Sequence, residues 1–280
     1  MKPAPLHCSC AGAHFSTVFT YTAPPEGEIQ FRFSTSGAYR REVLSCEVCG
    51  HFVSIHDMDE GTLYAGDYLD ATYCDDDGLR RTFERIAGLE PSRSDNHGRV
   101  RRILEFAGAH LAGRSRPSVL DVGSGLCIFL HRMKAAGWDC TALDPDPRAV
   151  RHAMDVVGVR GVCGDFLVIE DLGRFDVIAL NKVLEHVHDP VAMLRRAHRC
   201  LARGGFVYVE VPDGEAAVTE GPEREEFFIE HWHVFSAASV ALLASRAGFA
   251  VRALERLREP SAKFTLRAFL TPAAPPAEAT

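Results

Sequence analysis

The residue types that could do chemistry gather first in Val119-Leu120-Asp121-Val122-Gly123-Ser124-Gly125-Leu126-Cys127, and again in Ala142-Leu143-Asp144. Gly123 and Gly125 allow a tight backbone turn and a close ligand approach that a Cβ would block. Asp144, ending an apolar run, is placed to accept both hydroxyls of a ribose. A dinucleotide fingerprint needs a third small residue for the helix that receives the pyrophosphate. Ile128 stands at that position, three after Gly125. Asp121 before the loop would repel a pyrophosphate and suits a cationic or amino-bearing ligand.

Positioning these residues takes a strand, a glycine turn, a helix and a second strand, which is a β-α-β unit with its pocket at the strand tips. The alternation continues from 117 to 270, as a parallel sheet requires. Strands are expected at Ser118–Asp121, Cys140–Leu143, Gly161–Cys163, Phe175–Leu180, Phe206–Val211, Phe249–Leu254 and Phe264–Phe269. Helices are expected at Cys127–Ala136, Pro147–Val157, Pro190–Leu201 and Ala237–Ala247. Proline opens two of them, Ser236 caps the last, and Gly204-Gly205 is expected to stop the third. Further strand tips add Asp165, which could accept from an adenine amino group, Phe166, which could stack or offer its amide, and Asn181. Asp144 and Asp165 could instead be ordinary caps.

S-adenosylmethionine carries a sulfonium, an ammonium and no phosphate, and it fits this loop. The Asp121-to-Gly125 motif followed by Asp144, with the run Phe175 to Pro190, resembles the class I S-adenosylmethionine-dependent methyltransferases. The resemblance implies an α/β fold: a seven-stranded Rossmann-like methyltransferase sheet with helices on both faces and the last strand inserted antiparallel. It also implies cofactor contacts from Asp121, Gly123, Gly125, Asp144, Asp165, Phe166 and Asn181.

A second cluster lies in front. Cys46-Glu47-Val48-Cys49-Gly50 is a C-x-x-C-G knuckle, and His7-Cys8-Ser9-Cys10 offers further ligands. Cys10, Cys46 and Cys49, with either His7 or Cys8, fit a structural tetrahedral zinc. The alternative is free buried thiols. Together with the methyltransferase core, this small N-terminal zinc-binding β lobe resembles sugar C-methyltransferases acting on nucleotide-linked deoxysugars. Two departures stand out: the first knuckle is H-C-S-C, and the further C-terminal domain usual in those enzymes is not in this sequence.

The span Glu225 to Ser236 resembles the E-H-x-x-x-F-S motif of those relatives. The resemblance assigns acid–base work to His231 and Glu230, where loop ordering is the alternative. Phe228 replaces an aromatic hydroxyl usual in the family. His233 is the second candidate base, Trp232 a wall residue, and Tyr64, Tyr68 and Tyr73 stand where relatives place an acceptor-side tyrosine. The arginines from Arg80 to Arg102 read as a solvated helix face, or else as an anion site for a diphosphate-bearing acceptor.

The chain of 280 residues divides into a zinc-binding lobe (1–75), an Arg-rich helical connector (76–116), the cofactor-binding domain (117–270) and a disordered tail (271–280). The net charge of −7 disfavours nucleic acid and anionic membranes as partners. The lobe is acidic too, with four Lys/Arg against seven Asp/Glu up to Glu60, which disfavours an RNA grip. Neither a transmembrane run nor a signal peptide is recognised, so a cytoplasmic protein with thiols rather than disulfides is expected. The functional expectation is methyl transfer to a small-molecule acceptor, possibly a nucleotide-linked or glycosyl sugar. The alternatives are O-methylation of a natural product or polysaccharide residue, and a non-catalytic cofactor-binding scaffold.

Overall fold

The computed structural model describes Cys8, Cys10 and residues 14–28, 39–56 and 76–273. Two sheets organise them. An N-terminal antiparallel sheet holds β1 (Phe15–Tyr21), β2 (Arg41–Cys46), β3 (Phe52–His56) and β9 (His233–Val234). The larger sheet holds β4 (Ser118–Val122), β5 (Asp139–Asp144), β6 (Arg160–Cys163), β7 (Phe175–Asn181), β8 (Leu201–Pro212), β10 (Phe249–Arg258) and β11 (Phe264–Pro272). Its order is β10-β11-β8-β7-β4-β5-β6, and β11 enters antiparallel between β8 and β10. This is the seven-stranded Rossmann-like arrangement expected from the sequence.

The parallel strands are apolar on both faces because helices cover both. Along β7, Ile178 and Leu180 face one core with Leu194 and Ala197 of α5 (Pro190–Cys200) and Val240 and Leu243 of α7 (Ala237–Arg246). Val177 and Ala179 face the other, with Val100 and Ile103 of α2 (Asp95–His110), Leu130 and Met133 of α3 (Ile128–Ala135), and Phe83 of α1 (Asp76–Ala87). The period of two along the strand thus places alternate residues in separate cores.

The helix starts follow the caps. Asp146 and Asp189 accept amide protons of Arg148 and Ala192, ahead of Pro147 in α4 (Pro147–His152) and Pro190 in α5. Ser236 and Ser239 cap α7 reciprocally. Three boundaries differ from the sequence reading. Helix α5 ends at Cys200, and Gly204-Gly205 lies within β8, so the glycines do not stop the helix. The expected helix to Val157 finishes in a wider π turn over Ala153–Val157, closed by Gly158 at φ +69°. Thr271 and Pro272, assigned to the tail, extend β11. Residues 274–280 lie outside the described residues.

The connection between β8 and α7 carries the short α6 (Gly214–Ala217) and then β9. Val234 and His233 pair with Phe52 and Val53, so a strand from the second half of the chain completes the N-terminal sheet. No helix among the described residues is long and apolar enough to cross a membrane.

Candidate active site

The glycine loop leaves β4 at the C-terminal edge of the parallel strands. Gly123 and Ser124 give their amide protons to Leu143 O, at 2.8 and 3.2 Å, which ties the loop to the end of β5. Gly123 and Gly125 have φ of +70° and +47°, where glycine is favoured. A Cβ on Gly123 would meet Val183 Cγ2 at 3.0 Å, whereas one on Gly125 would enter open space.

Asp121 lies one residue inside the end of β4, and Asp144 ends the neighbouring β5. Asp121 is buried and accepts from Asn181 Nδ2 at 2.7 Å. Burial pushes its carboxyl up to about 7, against the lowering effects of Asn181 and Arg99. Asp144 accepts the Gly125 and Asp146 amide protons, each at 2.9 Å, and burial raises its pKa despite them. The cap of α4 is Asp146 and not Asp144, so the capping alternative for Asp144 falls away. Each carboxylate oxygen keeps a second lone pair for a ligand hydroxyl. Ser124 Oγ and Asn181 Oδ1 are buried without partners among the described residues. These orphaned atoms around an open glycine loop suit the polar groups of a nucleoside-linked amino acid.

At the tip of β6, Asp165 is exposed and accepts from the Leu167 amide at 2.8 Å, an ordinary turn that still leaves an oxygen outward. Phe166 buries its ring in the core, where Arg196 lies over it at 5.9 Å. Stacking by that ring is therefore excluded, and its amide is what remains for a ligand.

A second group of side chains starts three residues beyond Asn181, at the turn Leu184–His186. His186 Nδ1 lies 2.9 Å from Glu230 O, and His231 Nδ1 lies 2.9 Å from Glu226 O. The two rings meet edge to face with centroids 4.9 Å apart. Burial lowers both imidazole pKa values, that of His231 further because His186 is beside it. Glu185, also buried, is pushed up to about 7 by loss of water. One donor atom each from Glu185, His186 and His231 lies within 4.8 Å of the others.

Sequence reasoning paired His231 with Glu230. The structure gives His186 the backbone oxygen of Glu230, while the carboxylate Oε2 of Glu230 is buried without a partner among the described residues. His233 is held in the N-terminal sheet by His51 Nε2 at 3.0 Å. Trp232 packs against His56 and His188, with ring centroids 4.6 and 4.8 Å away. Tyr64, Tyr68 and Tyr73 lie outside the described residues. The sequence reading takes Glu185 as a structural carboxylate and leaves His186 open between a pocket wall and a helix start, and the structure brings both beside His231. The repeated Glu-His pair, 185–186 and 230–231, is the one signal for this in the sequence.

Three of the arginines are engaged by carboxylates of the protein itself. Arg99 is buried against Glu210 at 2.9 Å, Arg102 meets Glu255 at 2.5 Å, and Arg101 reaches Glu105 at 3.9 Å.

Four sulfurs gather in the N-terminal lobe. Cys8 Sγ is 3.1 Å from Cys10 Sγ and 3.0 Å from Cys49 Sγ, and Cys10 Sγ is 3.5 Å from Cys46 Sγ. A tetrahedral zinc with ~2.3 Å bonds would set sulfurs about 3.8 Å apart, close to this cluster. Burial raises Cys8 and Cys49, whereas the amides of Cys49 and Val48 outweigh burial at Cys46 and bring it to about 7. Cys8 thus supplies the fourth sulfur. His7 lies outside the described residues.

The family described as "Methyltransferase domain" matches residues 92–254, which hold the glycine loop, both acids and the two histidines. The chain belongs to the class I S-adenosylmethionine-dependent methyltransferase family. Among curated relatives of this methyltransferase, the Ubiquinone biosynthesis O-methyltransferase of Pseudomonas paraeruginosa (strain DSM 24068 / PA7) is 35% identical over 136 residues, covering 46% of this chain and 56% of that protein. The protein of the same name from Bordetella avium (strain 197N) is 32% identical over 135 residues, 46% and 54% of the two chains. The chain thus spans about half the length of the curated relatives it matches. The 1,6-didemethyltoxoflavin-N1-methyltransferase of Burkholderia thailandensis shares the fold, with a TM-score of 0.55 and 19% identity over 88% of this chain and 100% of that one. So does the magnesium protoporphyrin IX methyltransferase of Synechocystis PCC 6803, with a TM-score of 0.56 and 16% identity over 75% and 99%.

Proposed function

We propose that this methyltransferase moves a methyl group from S-adenosylmethionine to a small hydroxylated acceptor, such as a nucleotide-linked or glycosyl sugar. The observation that carries this reading is the path of one short segment. Asn181, ending β7, bonds Asp121 on the donor side, and Glu185-His186 follow it to meet His231. Donor and acceptor groups therefore hang from one strand tip. Bound at this loop, S-adenosylmethionine would supply an electrophilic sulfonium methyl.

Asp144 would hold the ribose hydroxyls, and Asp121 with Asn181 the cationic amino-acid end. Asp165 and the Phe166 amide would meet the adenine. On the acceptor side, the Glu226 carbonyl can only accept, so His231 carries its proton on Nδ1 and keeps a lone pair on Nε2. That nitrogen is the candidate base, with His186 beside it rather than the Glu230 carboxylate. The names of the curated relatives favour oxygen as the accepting atom, which supports O-methylation of a natural product or polysaccharide as the second reading. A non-catalytic scaffold would have no need of the intact donor loop together with this cluster.

Cys8, Cys10, Cys46 and Cys49 would hold one structural zinc, which would fix the lobe without taking part in transfer. Free thiols and bound zinc suit a cytoplasmic setting.

The test is methyl-labelled S-adenosylmethionine offered with nucleotide sugars, glycosides and phenols. Label is expected on a sugar. Label on phenols alone would move the conclusion to the second reading, and no transfer to any of them would count against both. With the accepted substrate, His231→Ala is expected to lower kcat by ~10²–10⁴ and leave cofactor affinity intact.

A further inference from the structure

We propose that Lys182 selects an anionic acceptor, its ammonium holding a carboxylate or phosphate oxygen of the hydroxylated molecule that takes the methyl group. The inference rests on the acceptor-side reading above and narrows its substrate class.

Lys182 stands between the two halves of the site, one residue after Asn181 ends β7 and three before Glu185. Its backbone has φ of +56°, a left-handed conformation uncommon outside glycine. Its amide donates to Glu210 O at 2.9 Å, which ties that kink to β8. The side chain reaches past β8 to β11, where Nζ donates to Thr265 Oγ1 at 2.9 Å. Thr265 pairs with Pro212, the last residue of β8, so the ammonium lies at the carboxyl edge of the parallel strands.

The cations around it have carboxylate partners. Arg99 of α2 donates to both Glu210 oxygens, and Arg267 of β11 reaches the same carboxylate at 3.2 Å. The Tyr208 hydroxyl donates to it as well, at 2.6 Å. Lys263, in the turn before β11, meets Glu225 at 2.9 Å. Glu210 is thus engaged by three other side chains. Burial raises Glu185 to about 7, so that carboxyl is only partly ionised near neutrality. Lys182 itself has a hydroxyl for a partner and forms no ion pair with any described residue.

An ammonium has three donors, and Thr265 takes one. Burial lowers the Lys182 pKa, Glu210 and Glu185 act against that, and Arg99 and Lys263 add to it. A charge held this way is costly until a counter-ion reaches it. An oxyanion arriving with the acceptor would supply one. The charge of Lys182 also bears on His186 and His231, so one small molecule can set its oxyanion on Lys182 and its hydroxyl at His231. Lysine is a compact point charge that serves carboxylate and phosphate alike. Uronates and nucleotide-linked sugars carry such groups beside their hydroxyls, and neutral glycosides do not.

The lysines of the chain are Lys2, Lys134, Lys182 and Lys263, so lysine Cε labelling can follow each by nuclear magnetic resonance. The full chain, loaded with S-adenosylhomocysteine, is titrated with glucuronate, uridine diphosphate glucose and glucose. An anionic probe is expected to shift the Lys182 signal and raise its titration midpoint, and glucose to do neither. A response to glucuronate alone identifies a carboxylate, and one to uridine diphosphate glucose alone a phosphate. Lys182→Met is expected to weaken the anionic probe by about tenfold or more, the scale of one hydrogen bond to a charged group. Lys182→Arg should restore part of that affinity, with S-adenosylhomocysteine affinity retained in both variants as proof of a folded donor site. No shift at Lys182 with either anion, or undiminished binding in Lys182→Met, would overturn the proposal. Methylation of neutral glycosides as fast as of anionic ones would overturn the anchor and leave the sugar reading standing. Anions bound through Lys182 with no sugar methylated would overturn that reading and leave the anchor.

Discussion

The donor half and the acceptor half of this site are built in different ways. The donor half sits on neighbouring parallel strands. Asp144 and Asn181 end β5 and β7, Asp121 lies one residue inside the end of β4, and ladder pairs such as Val122 beside Leu143 and Leu180 fix their spacing. The acceptor half is assembled from segments far apart in the chain. Arg41 of β2, buried and ion-paired with Glu28 at 3.0 Å, donates to Phe227 O. Glu28 also accepts the Ile229 amide proton at 2.8 Å. The Ser236 hydroxyl donates to Cys49 O, and β9 pairs with β3. The loop carrying His231 is thus held at both ends by the N-terminal sheet and its cysteine knuckle. On the proposed reading, a sheet edge would position the cofactor groups by itself, whereas the reacting side would need a second lobe to hold it.

That contrast can be broken at the knuckle first, where the largest effect is expected. Zinc-dependent folding in small domains is worth about 10–16 kcal/mol. Cys46→Ser should therefore drop the zinc content from near one per chain to near zero by elemental analysis, and should collapse turnover. Cofactor affinity should stay within roughly threefold, because additivity holds for distant sites. Zinc and turnover both retained would show that the knuckle does not hold the acceptor loop.

A smaller effect sharpens the donor side. Burial raises the Asp121 carboxyl to about 7, which favours its neutral form below that pH. A cationic ligand favours the carboxylate, so binding should release a proton below that value. Affinity for S-adenosylmethionine should rise with pH between 6 and 8, by roughly tenfold at most. Asp121→Asn should flatten that slope in a calorimetric pH series. A slope unchanged in the variant would remove Asp121 from the contact.

The two halves were also unequally legible in the sequence. Asp121, Gly123, Gly125, Asp144 and Asn181 stand at or just beyond the ends of apolar runs, so local pattern alone puts them near strand tips. All seven strands of the larger sheet appear where the runs predict, within a few residues at their ends except at the start of β8. The misplaced end of α5 is instructive, because Gly204-Gly205 carries a turn-like φ of +77° inside a strand rather than at a cap. The acceptor half depends on long-range pairing that no periodicity encodes. Nothing local says that His186 and His231 touch, that Glu230 offers its carbonyl rather than its carboxylate, or that His233 belongs to the other sheet. Cys8 is left open against His7 for the same reason, since only the fold brings the Cys8 sulfur to Cys49.

The central claim is that the strand tips of β4 and β5 hold S-adenosylmethionine independently of the acceptor loop. The most direct measurement is its calorimetric binding to the wild type and to Asp144→Ala. The wild type should bind one molecule per chain, and the variant should lose about 2–4 kcal/mol as two charge-assisted hydrogen bonds disappear. Equal affinity in the two proteins, or no binding by the wild type, would contradict the account.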